Sequence, residues 1–368
     1  MHNEPHPSHL LQPEWIATIR QHAFAAEEVG MLQPEQLAII YEQQWFKLLV
    51  PKVYGGLEAP LPEQIRMEEA LSWADGSLGW VVTLCAGAGW FGGFIDAEAA
   101  REIFSDPKIC LAGSGASTGK AEITENGYKL SGHWRYASGV KHATHFTANC
   151  LIEQNGERIL NEDGTPLILP FVIDSHYATL VPAWKYVGMM GTGSHAFTMD
   201  NVPAPASRCF KIDPEAAVVN TPLYRYPFLQ LAEATLAANL SGMALHFIDL
   251  CGPIFEQKLK ESKRMTKQQG IILMETLQQV KADLQGIRNQ FYEAVDASWQ
   301  ACLKGGLTPE ALKPVSFTSR LLAQISRGSV DHIYPFCGLQ AASPDTEINQ
   351  VWRDLHTASQ HSLLTFSE

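Results

Sequence analysis

The stretch of sequence from residue 121 to residue 139 reads AEITENGYKLSGHWRYASG and carries a strong local signal. Asn126-Gly127 separates residues 121–124 from residues 128–131, two runs that alternate apolar and polar side chains. An Asn-Gly pair between two such runs is typical of the tight turn of a β-hairpin. This stretch therefore predicts antiparallel strands near the middle of the chain.

Strand patterns continue on both sides of this hairpin. Short runs rich in β-branched and aromatic residues occur at residues 146–153, 167–173 and 195–199. Turn-forming residues separate them, and Asp163-Gly164 separates residues 158–160 from residues 167–173 in the manner of a second hairpin. We predict a middle β domain of barrel or sandwich type over residues 108–213.

Helical patterns occupy both ends of the chain. Before residue 107, and again beyond residue 214, apolar residues recur at spacings of three and four. Long helices with short connections are typical of a bundle. We predict an α+β fold with an N-terminal helical domain at 1–107, the β domain at 108–213 and a C-terminal four-helix bundle at 214–368. The predicted bundle helices span residues 228–255, 266–303, 308–334 and 345–364.

The composition argues against several classes of function. The net charge is −12 with no compensating basic run, whereas affinity for nucleic acid comes largely from neutralising phosphates. No apolar run reaches the length that would cross a bilayer, so we predict no membrane segment. The seven cysteines are scattered without a CxxC pair, which predicts buried thiols in a reducing cytoplasm and no metal site. Residues 1–10 look like a loose terminus.

Common cofactor and metal motifs are also missing from the sequence. It contains no GxGxxG after a strand, no P-loop and no HExxH. Large ligand clefts often form between domains. A cofactor, if one is bound, is therefore expected between the predicted domains.

Separated segments of the chain resemble the acyl-CoA dehydrogenase superfamily, in that family's order. The resemblance covers nearly the whole chain and implies the helix–β–helix order described above. It also implies a flavin in the cleft between the β domain and the bundle, and a homotetramer or homodimer. The segments are LVPKVYGG at 49–56, MEEALSWADGS at 67–77, LSGHWRYASG at 130–139, GMMGTGSH at 188–195 and WRD at 352–354.

Segments at 110–119, 134–139 and 353–361 look more like one branch of that superfamily. These segments, CLAGSGASTG, WRYASG and RDLHTASQH, are similar to those of monooxygenases that use reduced flavin on phenols and sulfur heterocycles. The resemblance implies FAD or FMN as cofactor, a small-molecule substrate and a separate flavin reductase as partner. It also places part of the flavin site on a neighbouring subunit near residues 336–340, which include Gly338.

The resemblance assigns roles to individual residues. Ser138 is placed beside N5 of the flavin, and Trp134 offers a face on which the ring can pack. His361 is placed over the flavin, where an imidazole can handle a proton at neutral pH. The small residues Ala112, Gly113 and Ser114 let backbone N–H groups approach the ring edge. The GTGS run at 191–194 is predicted to be a tight turn and not a phosphate loop.

Two other functions stay open at this stage. The first is an FAD-dependent acyl-CoA dehydrogenase, which needs a glutamate base. Residues 359–365 contain no acid, so Glu233 is the alternative base. The second is a non-catalytic oligomeric binding protein on the same fold. The run at 83–90, TLCAGAGW, is small and apolar, which favours a small apolar or aromatic substrate. Met190 stands where both branches commonly have arginine.

Overall fold

The computed structural model describes residues 3–262 and 265–365, and the N-terminal part of the chain is helical. Asp75 separates the two longest of these helices. It accepts a hydrogen bond from the Leu78 amide at 2.7 Å, so it caps the second of them. The helices are α1 (Pro13–Gln21), α2 (Ala23–Val29), α3 (Pro34–Glu42), α4 (Leu61–Ala74), α5 (Gly76–Trp90) and α6 (Ala97–Phe104).

The predicted hairpin is confirmed, and it lies inside one mixed sheet. Thr124 pairs with Gly127, and the antiparallel register continues to Lys120 opposite Ser131. The strands are β1 (Leu111–Thr124), β2 (Gly127–Trp134), β3 (His145–Gln154), β4 (Glu157–Arg158), β5 (Ile168–Asp174), β6 (Thr179–Val181) and β7 (Ala196–Ala204). Their order is β4-β3-β1-β2-β7-β6, with β5 also paired to β3, and β1 runs parallel to β3.

Long helices return after the sheet and pack as a bundle against α4. Thr308 caps one of them through a hydrogen bond from the Ala311 amide, with Pro309 at its first position. The helices are α7 (Pro222–Arg225), α8 (Phe228–Glu261), α9 (Lys267–Leu303), α10 (Pro309–Ile333), α11 (Glu347–Ala358) and α12 (Ser362–Thr365).

The last helix differs from the prediction. The sequence predicted one helix over residues 345–364, but α11 ends at Ala358 and α12 begins at Ser362. The ring of His361 accepts a hydrogen bond from the Leu363 amide, and the His361 carbonyl accepts one from Leu364. The chain turns here because His361 itself satisfies the first amides of α12.

Helix α8 is the central helix of the bundle. It is long and apolar enough to span a membrane by length and composition, which corrects the expectation that no run reaches that length. Within its most apolar window, however, 89% of the residues are buried inside the protein. Its composition is therefore that of a core helix.

The prediction of a loose N-terminus is wrong for residues 3–10; Met1 and His2 lie outside the described residues. Glu4 forms an ion pair with Arg66 of α4 at 2.7 Å. The Pro5 carbonyl accepts a hydrogen bond from Arg288 of α9 at 3.0 Å. The terminus is held in place because it supplies further partners to two arginines, which also pair with Asp296 and Glu69.

Candidate active site

A line of hydrogen-bonded side chains joins α5 to the segment that follows β2. Trp80 on α5 donates its indole N–H to Ser138 Oγ at 3.1 Å, and Ser138 Oγ lies 2.8 Å from Ser194 Oγ. Ser194 Oγ lies 2.6 Å from Thr192 Oγ1, which donates to the Met189 carbonyl at 2.6 Å. All five residues are buried, and Ser138 keeps 5% of its surface exposed.

The groups at the two ends of this line determine which atom is the donor in each of its hydrogen bonds. An indole nitrogen can only donate, and a carbonyl oxygen can only accept. Because each hydroxyl has one proton, Thr192 donates to Met189 and Ser194 donates to Thr192. Ser138 therefore donates to Ser194 and accepts from Trp80. The Ser138 hydroxyl is left with one lone pair, which can accept one more hydrogen bond.

Backbone hydrogen bonds on both sides hold Ser138 in place. The Ala137 amide donates to the His195 carbonyl at 3.0 Å, and the Gly139 amide donates to the Thr192 carbonyl at 2.9 Å. Gly139 has φ of 75°, and a Cβ there would lie 2.8 Å from Cys85 Sγ on α5. The segment thus packs closely against α5 because residue 139 is glycine.

His361 reaches the same place from the other end of the chain. Its ring lies 6.1 Å from that of Trp80, between centroids. Its Nδ1 accepts the Leu363 amide at 3.4 Å, so a neutral ring carries its proton on Nε2. Burial lowers the pKa of His361, which favours that neutral form. The structure therefore brings both Ser138 and His361 next to Trp80.

The 188–194 turn is anchored to α11. Asp354 of α11 accepts a hydrogen bond from the Met189 amide, and a Cβ on Gly188 would lie 2.1 Å from the Arg353 carbonyl. Burial, reinforced by neighbouring Asp75, raises the pKa of Asp354 well above its usual range. The turn positions hydroxyl groups inward, and no phosphate loop is formed.

The predicted role of Trp134 as a packing face is wrong. Trp134 is fully buried in the sheet, where its ring stacks on Phe197 at 5.1 Å. Its indole N–H is used by the Asn149 carbonyl at 3.0 Å. A Cβ on Gly119 would lie 2.1 Å from this ring, so the tryptophan fills the core beneath that glycine. No ring surface is left for a ligand.

The small residues at the start of β1 fall into two groups. Ala112 is buried, and Gly113 has no room for a side chain because a Cβ would lie 1.9 Å from Thr147 Oγ1. Ser114 is half-buried at the last paired position before the register with β3 shifts. The Thr118 hydroxyl donates to the His133 carbonyl at 2.7 Å. Because β1 and β2 are antiparallel, the start of β1 lies at the same end of the sheet as the end of β2. Residues 112–114 are therefore at the end of the sheet from which the segment that carries Ser138 continues.

The alternative base Glu233 is occupied by other partners. Arg320 of α10 lies 2.6 Å from its Oε1, and the Ser316 hydroxyl donates to its Oε2. Glu233 is buried between α8 and α10, and the structure gives it no contact with Ser138, Trp80 or His361. Both carboxylate oxygens are bound in the bundle, which argues against the predicted base role.

One face of α5 leads away from Ser138 and is apolar. Trp80, Leu84 and Gly87 of α5 and Phe91, the residue that follows its last, recur at spacings of four, three and four, so they share a face. Leu84, Gly87 and Phe91 are half-buried, and a Cβ added to Gly87 would meet nothing within 4 Å. Phe91 packs against Phe228 of α8 at 5.5 Å. An open apolar space therefore adjoins Gly87.

Two exposed surfaces of the chain lie at Tyr136 and at Gly338. Tyr136, two residues before Ser138, is 57% exposed and lies beside Trp184 and Tyr186. Gly338 lies far along the chain on an exposed loop with φ of 80°, next to Leu339, which is 90% exposed. Within one chain, the loop at Gly338 is hydrogen-bonded to Lys258 of α8, which donates to the Phe336 carbonyl, and it does not contact Ser138.

Comparisons with known proteins find a family model and several relatives that this chain resembles. A family model described as the C-terminal domain of acyl-CoA dehydrogenase matches residues 234–366. The flavin-dependent monooxygenase oxygenase subunit HsaA of Rhodococcus jostii is 24% identical over 94% of this chain and 92% of its own. Indole-3-acetate monooxygenase of Pseudomonas putida is 25% identical over 87% of this chain and 80% of its own.

Solved structures share the fold. The 3-HSA hydroxylase from Rhodococcus sp. RHA1 superposes with a TM-score of 0.88 at 20% identity, covering 99% of this chain and 94% of its own. XiaF from Streptomyces, solved with FADH2 and glycerol, gives a TM-score of 0.85 at 21% identity, with coverage of 95% and 89%. The chain shares the fold of these structures, and its residues 234–366 match the C-terminal domain of acyl-CoA dehydrogenase. It is a flavin-dependent oxidoreductase, and the relatives it resembles are monooxygenases of that fold.

The residues at this site fit a flavin. Ser138 offers a hydroxyl with one lone pair unassigned, and a Cβ on Gly115 would meet nothing within 4 Å. The ring of Tyr136 is exposed, whereas that of Trp134 is buried. The sequence assigned no site role to Trp80, and it predicted only a tight turn at the run that contains Thr192 and Ser194. The spacing of Trp80 from Leu84 and Gly87 is the signal that could have identified Trp80.

Proposed function

We propose that the chain is the oxygenase component of a two-component monooxygenase. It takes reduced flavin from a separate reductase and uses O2 to oxygenate a small apolar or aromatic substrate. The observation that carries this proposal is the meeting of Ser138 and His361 around Trp80. This arrangement offers polar groups for a flavin edge and an imidazole, with no free carboxylate among them.

We assign a separate role to each of the residues at this site. Ser138 and the backbone of residues 112–114 would hold the polar edge of the flavin, whose reduced ring supplies electrons to O2. His361, neutral with its proton on Nε2, donates a hydrogen bond to oxygen on which negative charge develops. Trp80 shields both groups from water, since only 8% of its surface is exposed.

The substrate is proposed to lie along the apolar face of α5. Leu84 and Phe91 are the apolar neighbours of Gly87 on this face, and Phe228 of α8 packs against Phe91. None of these side chains is charged, so a flat uncharged ring fits better than a thioester bearing phosphates. Phenols, indoles and sulfur heterocycles belong to this class.

The test is incorporation of oxygen from ¹⁸O2. The chain is mixed anaerobically with reduced FAD or FMN, then exposed to ¹⁸O2 with a phenol, an indole or a thiophene, and products are examined by mass spectrometry. A labelled product is expected from at least one substrate. Reoxidation of the flavin to hydrogen peroxide alone, with every substrate recovered unchanged, would contradict the proposal.

The two alternatives, an acyl-CoA dehydrogenase and a non-catalytic binding protein, predict different results with the same protein preparation. A dehydrogenase would have its bound oxidised flavin bleached anaerobically by an acyl-CoA, which the bound state of Glu233 argues against. A binding protein without catalysis would show no flavin absorbance band and no flavin affinity in either redox state. Titration with FAD and with FMN also decides which of the two flavins is the cofactor.

The proposal extends to assembly in the cytoplasm as a homotetramer or homodimer. Leu339 and Phe336 are 90% and 38% exposed beside Gly338, and a large apolar residue so exposed favours an interface. Sedimentation velocity should show a species larger than the 40.6 kDa chain. Leu339→Asp should shift it toward the monomer and weaken flavin binding. A monomeric wild type with full flavin affinity would contradict this part.

A further inference from the structure

The direction of the hydrogen bonds from Trp80 to Met189 decides whether the Ser138 hydroxyl can donate to a ligand or only accept from one. Its proton is committed to Ser194 and one lone pair to Trp80, so it can receive a hydrogen bond but cannot give another. A reduced flavin carries hydrogen on N5 and can donate there. The oxidised ring has a bare nitrogen at that position, which can only accept.

We propose that Thr192 and Ser194 are positioning residues that make the site selective for reduced flavin over oxidised flavin. Thr192 passes its proton to the Met189 carbonyl, and this compels Ser194 and then Ser138 to point theirs toward Thr192. Ser138 thus presents a lone pair, which suits the N–H of reduced flavin and is repelled by the lone pair of the oxidised ring. This inference rests on the proposed function.

The line has one orientation because only one end can accept. The Met189 carbonyl is fixed by its backbone, and its amide is held by Asp354. Trp184 also donates its indole N–H to this carbonyl at 3.0 Å. The carbonyl therefore remains satisfied when the Thr192 hydroxyl is removed, and a buried unpaired acceptor does not complicate the experiment.

The decisive variant is Thr192→Val, which has the same shape and lacks the hydroxyl. Ser194 then loses its acceptor and can turn its proton toward Ser138, so that Ser138 can point its own proton outward. Thr192→Ser keeps the hydroxyl and is the matched control. Ser194→Ala frees the Ser138 proton in a different manner and serves if the valine variant does not fold.

The measurement is the ratio of two dissociation constants, for oxidised and for dithionite-reduced flavin, with FAD and with FMN. Wild type and Thr192→Ser should bind the reduced form more tightly. In Thr192→Val and in Ser194→Ala the ratio should fall about tenfold, which is about 1.4 kcal/mol. In a Ser138→Ala background, Thr192→Val should leave the ratio unchanged, because Ser138 is the residue through which it acts.

The outcomes separate this inference from the proposed function. Equal weakening of both redox states in Thr192→Val, or an effect that persists without Ser138, would overturn the inference while leaving a flavin monooxygenase. Equal affinity of the wild type for both states would overturn it as well. Absence of any flavin binding would contradict the proposed function, and the inference with it.

Discussion

Asp354 of α11 accepts the backbone amide of Met189, and through this bond the last long helix holds the turn that orients Ser138. Burial and neighbouring Asp75 raise the pKa of Asp354 well above its usual range, so the protonated form is favoured. An amide can therefore replace the acid. The carbonyl oxygen of asparagine accepts the same hydrogen bond.

We expect Asp354→Asn to keep flavin affinity and to leave the free energy of unfolding unchanged or higher. An acid whose folded pKa is raised costs stability as pH rises through that pKa, and asparagine removes this cost. Asp354→Ala should lose about 1–3 kcal/mol, because it leaves a buried amide unpaired. Urea denaturation at pH 7 measures both. Equal losses in the two variants would contradict this account.

His142 should make the protein sensitive to moderate acid. Its Nε2 accepts the Leu32 amide at 3.2 Å, and burial, with a smaller effect from Lys141, lowers its pKa to about 4. Between pH 6.5 and 4 the unfolded chain binds a proton there and the folded chain does not, so stability falls as pH is lowered. The contribution is at most about 3 kcal/mol.

Urea midpoints at pH 7 and pH 4.5 check the role of His142. His142→Gln keeps an acceptor without titrating, so its stability should fall less than that of the wild type over this range. His133→Gln, at an exposed position, is the control and should behave like the wild type. An unchanged pH dependence in His142→Gln would show that other groups govern acid sensitivity.

His361 has two separable roles. His361→Ala removes the imidazole from beside Trp80 and also the acceptor for the Leu363 amide. We expect oxygenation to fall by about 10²–10⁴-fold and stability by about 1 kcal/mol. His361→Asn restores the cap and should recover the stability alone. Wild-type oxygenation in the asparagine variant would show that the imidazole is not required.

Glu233 is expected to stabilise the bundle and to take no part in proton transfer. Glu233→Gln weakens its pairing with Arg320 and should cost about 1–3 kcal/mol, while the oxygenation rate per folded molecule stays unchanged. Glu256→Gln, exposed on the same helix, should change stability by less than about 0.5 kcal/mol. Acyl-CoA should not bleach the flavin of either variant; bleaching that Glu233→Gln abolishes would establish a dehydrogenase.

Gly87 gives a prediction in which stability and substrate binding move in opposite directions. Gly87→Ala should stabilise α5 by about 0.5–1 kcal/mol, because alanine favours the helix and its Cβ meets nothing. The larger Gly87→Leu should fill the proposed substrate space and raise KM. Gly286→Ala in α9, also in open space, should stabilise without changing KM. Unchanged KM in Gly87→Leu would place the substrate elsewhere.

The sequence predicted the order of the elements because its signals there are local. Asn126-Gly127 determines a turn by its own backbone preferences, and Thr308-Pro309 begins a helix in the same way. The break before α12 was not predicted, since it depends on where the ring of His361 finds an amide to bind. Periodicity alone favours one uninterrupted helix there.

Side-chain environment explains the remaining differences. Trp134 and Tyr136 are both aromatic and adjacent to Ser138, yet one is fully buried and the other is 57% exposed. The sequence favoured the tryptophan because its motif resembles a flavin-binding one. Burial follows from Phe197 and Gly119, which β2 meets only when the sheet forms. Ser194 and Thr192 meet Ser138 for the same reason, through contacts distant in the chain.

The attachment of the N-terminus to α9 has a consequence for biosynthesis. The Glu4 amide bonds to Asn289, which is 285 residues away, and the Pro5 carbonyl bonds to Arg288. Residues 4 and 5 are therefore translated well before the residues to which they bond. Until α9 emerges, the Glu4 amide and the Pro5 carbonyl lack these partners, so the nascent chain should depend on chaperones longer than a chain whose contacts are close in sequence.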